Sequence, residues 1–256
     1  MSRTVVVTGA GGGIGRAIAL AFGEHGDCVV LSGRRVQALH ETAEMVAEAG
    51  GSPVVIPADV TDGSTVEILA NRSVELAGPA DVLVNNSGVG GPSAPMWEAD
   101  QTTWRETFEV NVFGVFSVTS AFLPQMIERR QGSVVMIGSI SGKRPLKGRT
   151  AYTSTKMALV GLTRTLAAEA GQYGITVNLV SPGFVAGERL DWVVDAQASA
   201  RGLEEDLIRE EMVSLSPLRR LTLDRDIADA VVYLASEQSR GITGIDLNVN
   251  SGVVMY

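Results

Sequence analysis

Short apolar runs rich in valine and isoleucine alternate along the chain with longer stretches in which apolar residues recur at helical spacing. Runs that are apolar on both faces predict buried strands, and the periodic stretches predict amphipathic helices. The predicted strands cover residues 4–8, 28–32, 54–57, 81–84, 133–137, 176–180 and 245–249. The predicted helices cover residues 14–24, 36–49, 64–76, 102–130, 151–170, 203–213 and 226–235, the fourth with a bend near Gly114.

This alternation predicts an α/β fold with a parallel sheet covered by helices on both faces. Right-handed crossovers between the strands then give a doubly wound, Rossmann-type sheet. The chain shows no internal repeat and no linker, so residues 1–256 are expected to form a single domain. Residues 184–217, between the sixth strand and a later helix, are expected to cap the substrate within that domain.

Composition narrows the classes of partner. The formal net charge of −8 argues against a nucleic-acid partner, and the single cysteine, Cys28, excludes an intrachain disulfide. Two histidines are too few and too poorly accompanied for a metal site. The N-terminal residues lead directly into the first strand without a signal-peptide pattern, and no apolar run approaches the length of a membrane span. These features predict a cytoplasmic protein with no membrane partner.

A glycine-rich turn joins the first strand to the first helix, with the sequence Thr8-Gly9-Ala10-Gly11-Gly12-Gly13-Ile14-Gly15. Glycines allow a sharp turn and let a diphosphate approach bare backbone N–H groups at a positive helix N-terminus. Any strand-to-helix turn can use glycine for structural reasons alone. The position in the first βα turn nevertheless favours dinucleotide binding.

Tyr152 and Lys156 are four residues apart in a predicted helix, so their side chains share one face. Tyrosine is a poor base at neutral pH, but a nearby ammonium favours the phenolate and lowers the tyrosine pKa. A nicotinamide cation would act in the same way. Ser139 ends the fifth strand, at the edge where such sheets bind ligands, and Ser141 is its rival for a hydrogen bond to a substrate oxygen. By itself, either serine could be an ordinary strand-terminal residue.

The spacing of Thr8, Gly9, Gly13 and Gly15, followed by Tyr152 and Lys156, resembles the short-chain dehydrogenases/reductases. The family's usual thirteen-residue gap before the tyrosine selects Ser139, and its Asn-x-x-Gly segment corresponds to residues 111–114. The resemblance therefore implies a catalytic tetrad of Asn111, Ser139, Tyr152 and Lys156.

The resemblance implies hydride transfer between a nicotinamide dinucleotide and the carbonyl or secondary alcohol of a small-molecule substrate. It makes residues 1–256 a single dinucleotide-binding and catalytic domain. Ser139 would polarise the oxygen, Tyr152 would exchange the proton, and Lys156 would lower the tyrosine pKa and hold the nicotinamide ribose. Asn111 would hold a water that links the lysine to solvent. Two alternatives remain: a non-enzymatic dinucleotide-binding sensor, and a sugar epimerase or dehydratase. The filled tetrad disfavours the first, and the turn spacing and short chain disfavour the second.

The resemblance also implies cofactor contacts beyond the catalytic pair, at Gly9, Gly13, Ile14, Gly15, Asp59, Val60, Asn86, Gly88, Pro182, Gly183 and Val185, with Phe184 also near the ring. Asp59 is equally well interpreted as a helix N-terminal acid. The chain departs from the family pattern at Gly187, where a threonine is frequent, and at residues 250–252, where Asp-Gly-Gly is usual.

The end of the second strand carries Arg34 and Arg35 where an NAD-preferring fold has an acid. Arg34 could pair with a 2′-phosphate, which favours NADP over NAD. A solvated helix start is the other interpretation. The family's second basic signal is missing, since Gly12 stands in its place.

The substrate is left open among oxoacyl esters, sugars, polyols, steroids and xenobiotic ketones. A basic loop with Lys143, Arg144, Lys147 and Arg149 could attract an anionic substrate, or could simply be solvated. Relatives commonly form tetramers through the helices corresponding to 111–130 and 151–170, so a homotetramer or dimer is expected.

Overall fold

The computed structural model describes residues 2–256, apart from the side chain of Ala200, and these residues form one seven-stranded parallel sheet with helices on both faces. The strands are β1 (Thr4–Thr8), β2 (Cys28–Ser32), β3 (Ser52–Val55), β4 (Val82–Asn85), β5 (Gly132–Ile137), β6 (Ile175–Pro182) and β7 (Asp246–Val249). The helices are α1 (Gly13–Gly23), α2 (Val36–Glu48), α3 (Gly63–Ala77), α4 (Gln101–Phe108), α5 (Gly114–Arg129), α6 (Thr150–Ala170), α7 (Glu188–Arg201), α8 (Glu205–Ser214) and α9 (Asp224–Leu234).

The strand order is β3-β2-β1-β4-β5-β6-β7, which confirms the predicted doubly wound sheet. The order reverses between β1 and β4, which pair in register from Val5 opposite Val82 to Val7 opposite Val84. Ligands of such sheets bind beyond the carboxyl ends of the strands at this reversal. The glycine turn and residues 86–88 both lie there.

Alternation within the strands divides the core between the two faces of the sheet. Val6 of β1 faces α5 and α6 and packs with Phe122 and Leu159, while Val5 and Val7 face α1 and α9. Every residue of β1 is buried. Burial on both faces explains why the strand sequences are continuously apolar rather than alternating.

Several predicted boundaries are corrected by the structure. β3 begins at Ser52 and ends at Val55, two residues earlier than the predicted 54–57. The predicted helix 102–130 is divided by a π turn over Glu109–Phe113, directly before the expected bend. A methyl group on Gly114 would lie 2.6 Å from Val60 Cγ2, so the helix approaches the β3–α3 loop as only glycine allows.

The helical run Gln101–Arg129 is, by length and composition, apolar enough to cross a membrane, although no such run was expected from the sequence. Core helices of soluble proteins have the same composition. The α5 part of this run packs Val118, Phe122 and Met126 into the core beneath the sheet.

The segment 184–217 contains helix α7, which the sequence pattern did not predict, as well as α8. These two helices share a small apolar cluster of Leu190, Val194, Ala198, Ile208 and Met212. The cluster is separate from the two faces of the sheet. Thus α7 and α8 form a layer over the carboxyl edge with a core of their own.

Candidate active site

Tyr152 and Lys156 lie on one face of α6, as their spacing predicts. Lys156 is 4% exposed, and its Nζ donates a hydrogen bond to the carbonyl oxygen of Ile137 at 2.8 Å. The Nζ lies 5.7 Å from the centroid of the Tyr152 ring. The bond to the last residue of β5 fixes the ammonium beside the phenol.

The pKa of Tyr152 is lowered to about 8. Burial alone would raise it, but the positive charges of Arg189, Lys156 and Arg149 and a hydrogen bond from Ser139 together outweigh burial. A phenol with this pKa can exchange a proton near neutral pH, which an ordinary tyrosine cannot do efficiently.

Ser139 lies two residues beyond the carboxyl end of β5, beside Tyr152. Its Oγ lies 2.9 Å from the Oγ of Ser141 and accepts a hydrogen bond from the Ser141 backbone N–H at 3.1 Å. The two rival serines are therefore bonded to each other. Of the two serines, Ser139 is the one that contributes to the lowered pKa of Tyr152.

Asn111 is fully buried inside the π turn. Its Oδ1 accepts a hydrogen bond from the Val89 backbone N–H at 2.8 Å, and its Nδ2 donates to the Val89 carbonyl at 3.0 Å and to Thr155 Oγ1 at 3.1 Å. Both N–H donors are thus taken by protein groups. Asn111 ties the β4 loop to α6, next to Lys156. π turns of this kind occur frequently at functional sites.

Gly88 lies against this buried pair. A methyl group on Gly88 would lie 3.2 Å from Asn111 Oδ1 and 3.6 Å from Lys156 Nζ. The backbone of the β4 loop therefore passes directly beside the lysine. Asn111 and Lys156 meet at this loop, and Lys156 in turn lies beside Tyr152.

The glycine turn fits a diphosphate. Gly9 has a φ of 66°, and a methyl group on Gly15 would overlap the carbonyl oxygen of Gly9 at 2.2 Å. Asn86 Nδ2 donates to the carbonyls of Thr8 and Gly9 at 3.0 and 3.2 Å, which ties β4 to the turn. α1 begins at Gly13 without a side-chain cap, so its first N–H groups can receive an anion. Ile14 follows in this turn.

The edge beside β2 fits an adenosine. The Ser32 hydroxyl is buried and has no hydrogen-bond partner in the described part of the chain. Arg34 is 67% exposed, and its one ion pair within residues 2–256 is a long one, 3.9 Å, with Asp59. Arg35, which the sequence did not assign, leans over the glycine turn, its Nη2 3.3 Å from a methyl group placed on Gly12.

Asp59 and Val60 are placed differently from each other. Asp59 Oδ1 accepts hydrogen bonds from the backbone and hydroxyl of Thr61, at 3.0 and 2.8 Å, while Asp62 caps α3. Asp59 is therefore not the helix cap. Val60 is buried against Gly114.

The carboxyl end of β6 carries Pro182 and Gly183, and Val185 forms an isolated bridge with Thr222. The departure at Gly187 has a structural cause. Gly187 has a φ of 131° and caps α7, its carbonyl accepting from Leu190 N–H at 2.8 Å. A threonine would be strained in this conformation.

The departure at residues 250–252 also has a structural role. Asn250 Oδ1 accepts hydrogen bonds from Gly252 N–H and Val254 N–H, at 3.0 and 3.4 Å, and its Nδ2 donates to the Val254 carbonyl. Ser251 and Gly252 both have positive φ values. Asn250 thus closes a tight C-terminal turn beyond β7.

The predicted basic loop does not act as one cluster. Lys143 forms an ion pair with Asp246 at 2.8 Å and donates to Asn248, so it joins the loop to β7. Lys147 is exposed. Arg149 is buried, and its guanidinium carbon lies 5.0 Å from the Tyr152 ring centroid.

Arg189, in the first turn of α7, is a second arginine at Tyr152, with its guanidinium carbon 5.1 Å from the ring centroid. No role for Arg189 in the site was predicted from the sequence. No local motif marks it, since α7 itself was not predicted.

A model of the short chain dehydrogenases matches residues 3–197. The chain belongs to the short-chain dehydrogenase family. This short-chain dehydrogenase is 34% identical over 259 residues to "3-oxoacyl-[acyl-carrier-protein] reductase FabG" of Staphylococcus aureus strain Mu50, covering 100% of this chain and 99% of the relative. Among solved structures, it is similar to an actinorhodin polyketide ketoreductase variant with NADPH, at a TM-score of 0.96 and 32% identity, covering 100% of this chain and 98% of that one. It is also similar to NAD⁺-bound xylitol dehydrogenase, at a TM-score of 0.94 and 30% identity, covering 98% of each chain.

These matches confirm the predicted fold and reaction class. The short-chain dehydrogenase is an NAD(P)-dependent oxidoreductase that interconverts a carbonyl and an alcohol. Neither alternative, the sensor or the sugar epimerase, is favoured by them.

Proposed function

We propose that this short-chain dehydrogenase is an NADP-dependent reductase of small ketones whose catalytic tetrad is Asn111, Ser139, Tyr152 and Lys156. The observation that carries the proposal is the position of the Tyr152 phenol beside the buried ammonium of Lys156, whose Nζ lies 5.7 Å from the ring centroid and helps to lower the tyrosine pKa. Strongly perturbed groups concentrate at catalytic sites.

Each tetrad residue has a role that its contacts support. Ser139 donates a hydrogen bond to the substrate oxygen, and Tyr152 delivers the proton to it. Lys156 holds the tyrosine pKa down and binds the nicotinamide ribose. Asn111 is a positioning residue that fixes the β4 loop and α6 through its amide. The bound dinucleotide supplies or accepts the hydride.

The cofactor cradle is proposed to include the glycine turn, the adenosine edge and the end of β6. Its members are Gly9, Gly13, Ile14, Gly15, Arg34, Asp59, Val60, Asn86, Gly88, Pro182, Gly183 and Val185, together with Tyr152 and Lys156. NADP is favoured over NAD because two arginines and no acid follow β2. Arg35 joins Arg34 in this role because it lies over the turn.

The relatives suggest the range of ketones. They include a 3-oxoacyl reductase, a polyketide ketoreductase and a xylitol dehydrogenase. Oxoacyl compounds, sugars and related ketones are the substrates to test. The layer of α7 and α8 is proposed to cap them within one catalytic domain.

A cytoplasmic homo-oligomer, a tetramer or dimer, is the proposed form. Its support is the exposed apolar surface of α5, α6 and the π turn, where Phe113, Phe116 and Met157 are 53%, 59% and 45% exposed. Exposed apolar patches of this kind mark interaction sites.

The deciding experiment follows absorbance at 340 nm with NADPH or NADH against oxoacyl, sugar and simple ketones. Tyr152→Phe is the matched control, since it removes only the phenol oxygen. Turnover that is lost in Tyr152→Phe supports the tetrad. Turnover that persists at the wild-type rate contradicts it.

A further inference from the structure

Arg149 is a buried cation with an unused donor. It is 6% exposed, directly precedes α6, and its Nη1 has no hydrogen-bond partner in residues 2–256. Its guanidinium carbon lies 5.0 Å from the Tyr152 ring centroid and 4.9 Å from that of Trp192 in α7. A buried charge without a counter-charge is unfavourable unless a ligand completes it.

Arg189 approaches the same phenol from the cap. It lies in the first turn of α7, where a positive charge opposes the helix dipole. The acids of that turn do not neutralise it, because Asp191 pairs with Arg209 at 2.8 Å and Glu188 makes no ion pair with it. Within residues 2–256, neither Arg149 nor Arg189 has a carboxylate oxygen within 4.0 Å.

We propose that Arg149 and Arg189 form an anion clamp that binds an oxoanion on the substrate itself. The clamp rests on the proposed function, because it places the anion beside the phenol that protonates the carbonyl. The substrate class is then small carbonyl compounds that carry a carboxylate or a phosphate close to the reacting carbonyl. In reduction, the carbonyl carbon takes a hydride from the reduced nicotinamide and the oxygen takes the proton of Tyr152.

The geometry favours a small substrate over a large neutral one. Arg149 is enclosed by Trp192 and by the loop after β4, where a methyl group on Gly90 would lie 3.4 Å from Arg149 Nη2 and 3.7 Å from the Trp192 ring. Guanidinium groups bind carboxylates and phosphates through paired N–H donors. Long acyl thioesters carry no charge next to the carbonyl and would leave both arginines unpaired.

The first test compares charged and neutral ketones that differ only in the anionic group. The pairs are acetoacetate with its methyl ester, and dihydroxyacetone phosphate with dihydroxyacetone. We expect kcat/KM to favour the anionic member of at least one pair by roughly 10- to 100-fold. The pair that shows the preference identifies a carboxylate or a phosphate as the anion.

Variants then assign that preference to the clamp. In Arg149→Gln and Arg189→Gln, the ratio of kcat/KM for the anionic and neutral members is expected to fall at least tenfold. Any effect of the substitution on Tyr152 cancels in this ratio, because Tyr152 protonates both the anionic and the neutral substrate. Arg149→Lys keeps the charge and is expected to retain part of the preference. Arg164→Gln removes one exposed positive charge from α6, outside the cavity that Arg149 and Trp192 line, and is expected to leave the ratio unchanged.

Binding of inert anions tests the clamp without turnover. Malonate and inorganic phosphate are titrated at constant ionic strength, with NADP⁺ bound, while the fluorescence of Trp192 is followed. Saturable quenching that is absent in Trp192→Phe and weakened at least tenfold in Arg149→Gln supports the clamp.

The outcomes separate the two proposals. Turnover of neutral ketones with an anionic-to-neutral ratio near one, and without anion binding, overturns the clamp and leaves the reductase intact. Anion binding in a protein that reduces no ketone supports the clamp and contradicts the proposed reduction. Equal losses in Arg164→Gln and Arg149→Gln would mean that only the overall electrostatic field of the protein acts, which also overturns the clamp.

Discussion

The guanidinium carbon of Arg189, in the first turn of α7, lies 5.1 Å from the centroid of the Tyr152 ring, in α6. The contact joins the cap to the proposed proton donor. Arg189 is also the largest single cause that lowers the Tyr152 pKa. The protonation of the phenol therefore depends on the position of α7 as well as on Lys156.

Removing this charge is expected to move the pH dependence of catalysis. In Arg189→Gln the burial that raises the Tyr152 pKa remains, so the pKa should rise from about 8. Alcohol oxidation needs the phenolate, so its rising limb should move to higher pH. Reduction needs the phenol and should persist to higher pH. The measurement is kcat/KM against pH with a neutral substrate in both directions. The control is Arg164→Gln, which removes an exposed arginine of α6 and should leave the pH profile unchanged. An unchanged pH profile in Arg189→Gln would contradict the prediction.

Lys156 should be needed for activity but not for folding. Its burial lowers its own pKa, which shows that the charged form is held at a cost. Lys156→Met keeps the length of the side chain and removes that cost, although it leaves the Ile137 carbonyl without its donor. We expect kcat to fall roughly 100- to 10,000-fold while Tm changes little. Activity assays and thermal unfolding of the same preparation check both halves. A large loss of Tm would instead give Lys156 a structural role.

Much of the fold follows from local pattern. The valine-rich runs of β1 and β2 match their predicted bounds at both ends, because strands buried on both faces leave a continuous apolar signal. The sequence pattern did not predict α7, because the apolar residues of this helix pack on α8 and not on the sheet. They therefore form no broad apolar stripe facing the core. The predicted bounds of β3 lay two residues too late, because Ser52 and Pro53 at the start of this strand resemble a turn.

The candidate site also has one part that sequence spacing predicts and another part that it does not. Tyr152 and Lys156 are one helical turn apart, so sequence spacing alone brings them together. The surroundings of Arg149 depend on Trp192, which is distant in sequence, and those of Arg189 on an unpredicted helix. Such contacts carry no local signal. The assignments of individual catalytic and cofactor residues stay predictions.

The glycine turn gives a steric test of dinucleotide binding. Gly15→Ala would place a methyl group 2.2 Å from the Gly9 carbonyl oxygen, so the turn must shift. We expect the affinity for NADPH to fall at least tenfold, measured by nicotinamide fluorescence. Gly161→Ala is the matched control, because Gly161 lies in α6 and a methyl group there would meet no atom within 4 Å. It should bind NADPH normally and be more stable by roughly 0.5–1 kcal/mol. Equal binding by both variants would exclude a phosphate role for the turn.

Charge at the end of β2 should set the choice of dinucleotide. Arg34→Asp introduces the acid that binds a ribose 2′-hydroxyl and repels a 2′-phosphate. The ratio of kcat/KM for NADPH to that for NADH is expected to fall at least tenfold. Arg72→Asp makes the same charge change on the exposed face of α3 and should leave the ratio as it is. If Arg34→Asp left the ratio unchanged and Arg35→Asp lowered it, the recognition would belong to Arg35.

The apolar face of α5 should be covered by a second copy of the chain. Phe116 is 59% exposed there, and Phe113 beside it is 53% exposed. Exposed apolar patches of this kind mark surfaces that another protein covers. Sedimentation velocity of the wild type should therefore give a dimer or tetramer, and Phe116→Glu should shift it to smaller species. Leu76→Glu, at a 51% exposed position on α3, is the control and should not alter the assembly. A wild type that sediments as a monomer at micromolar concentration would contradict the predicted interface. Dissociation in Leu76→Glu alone would move the interface to α3.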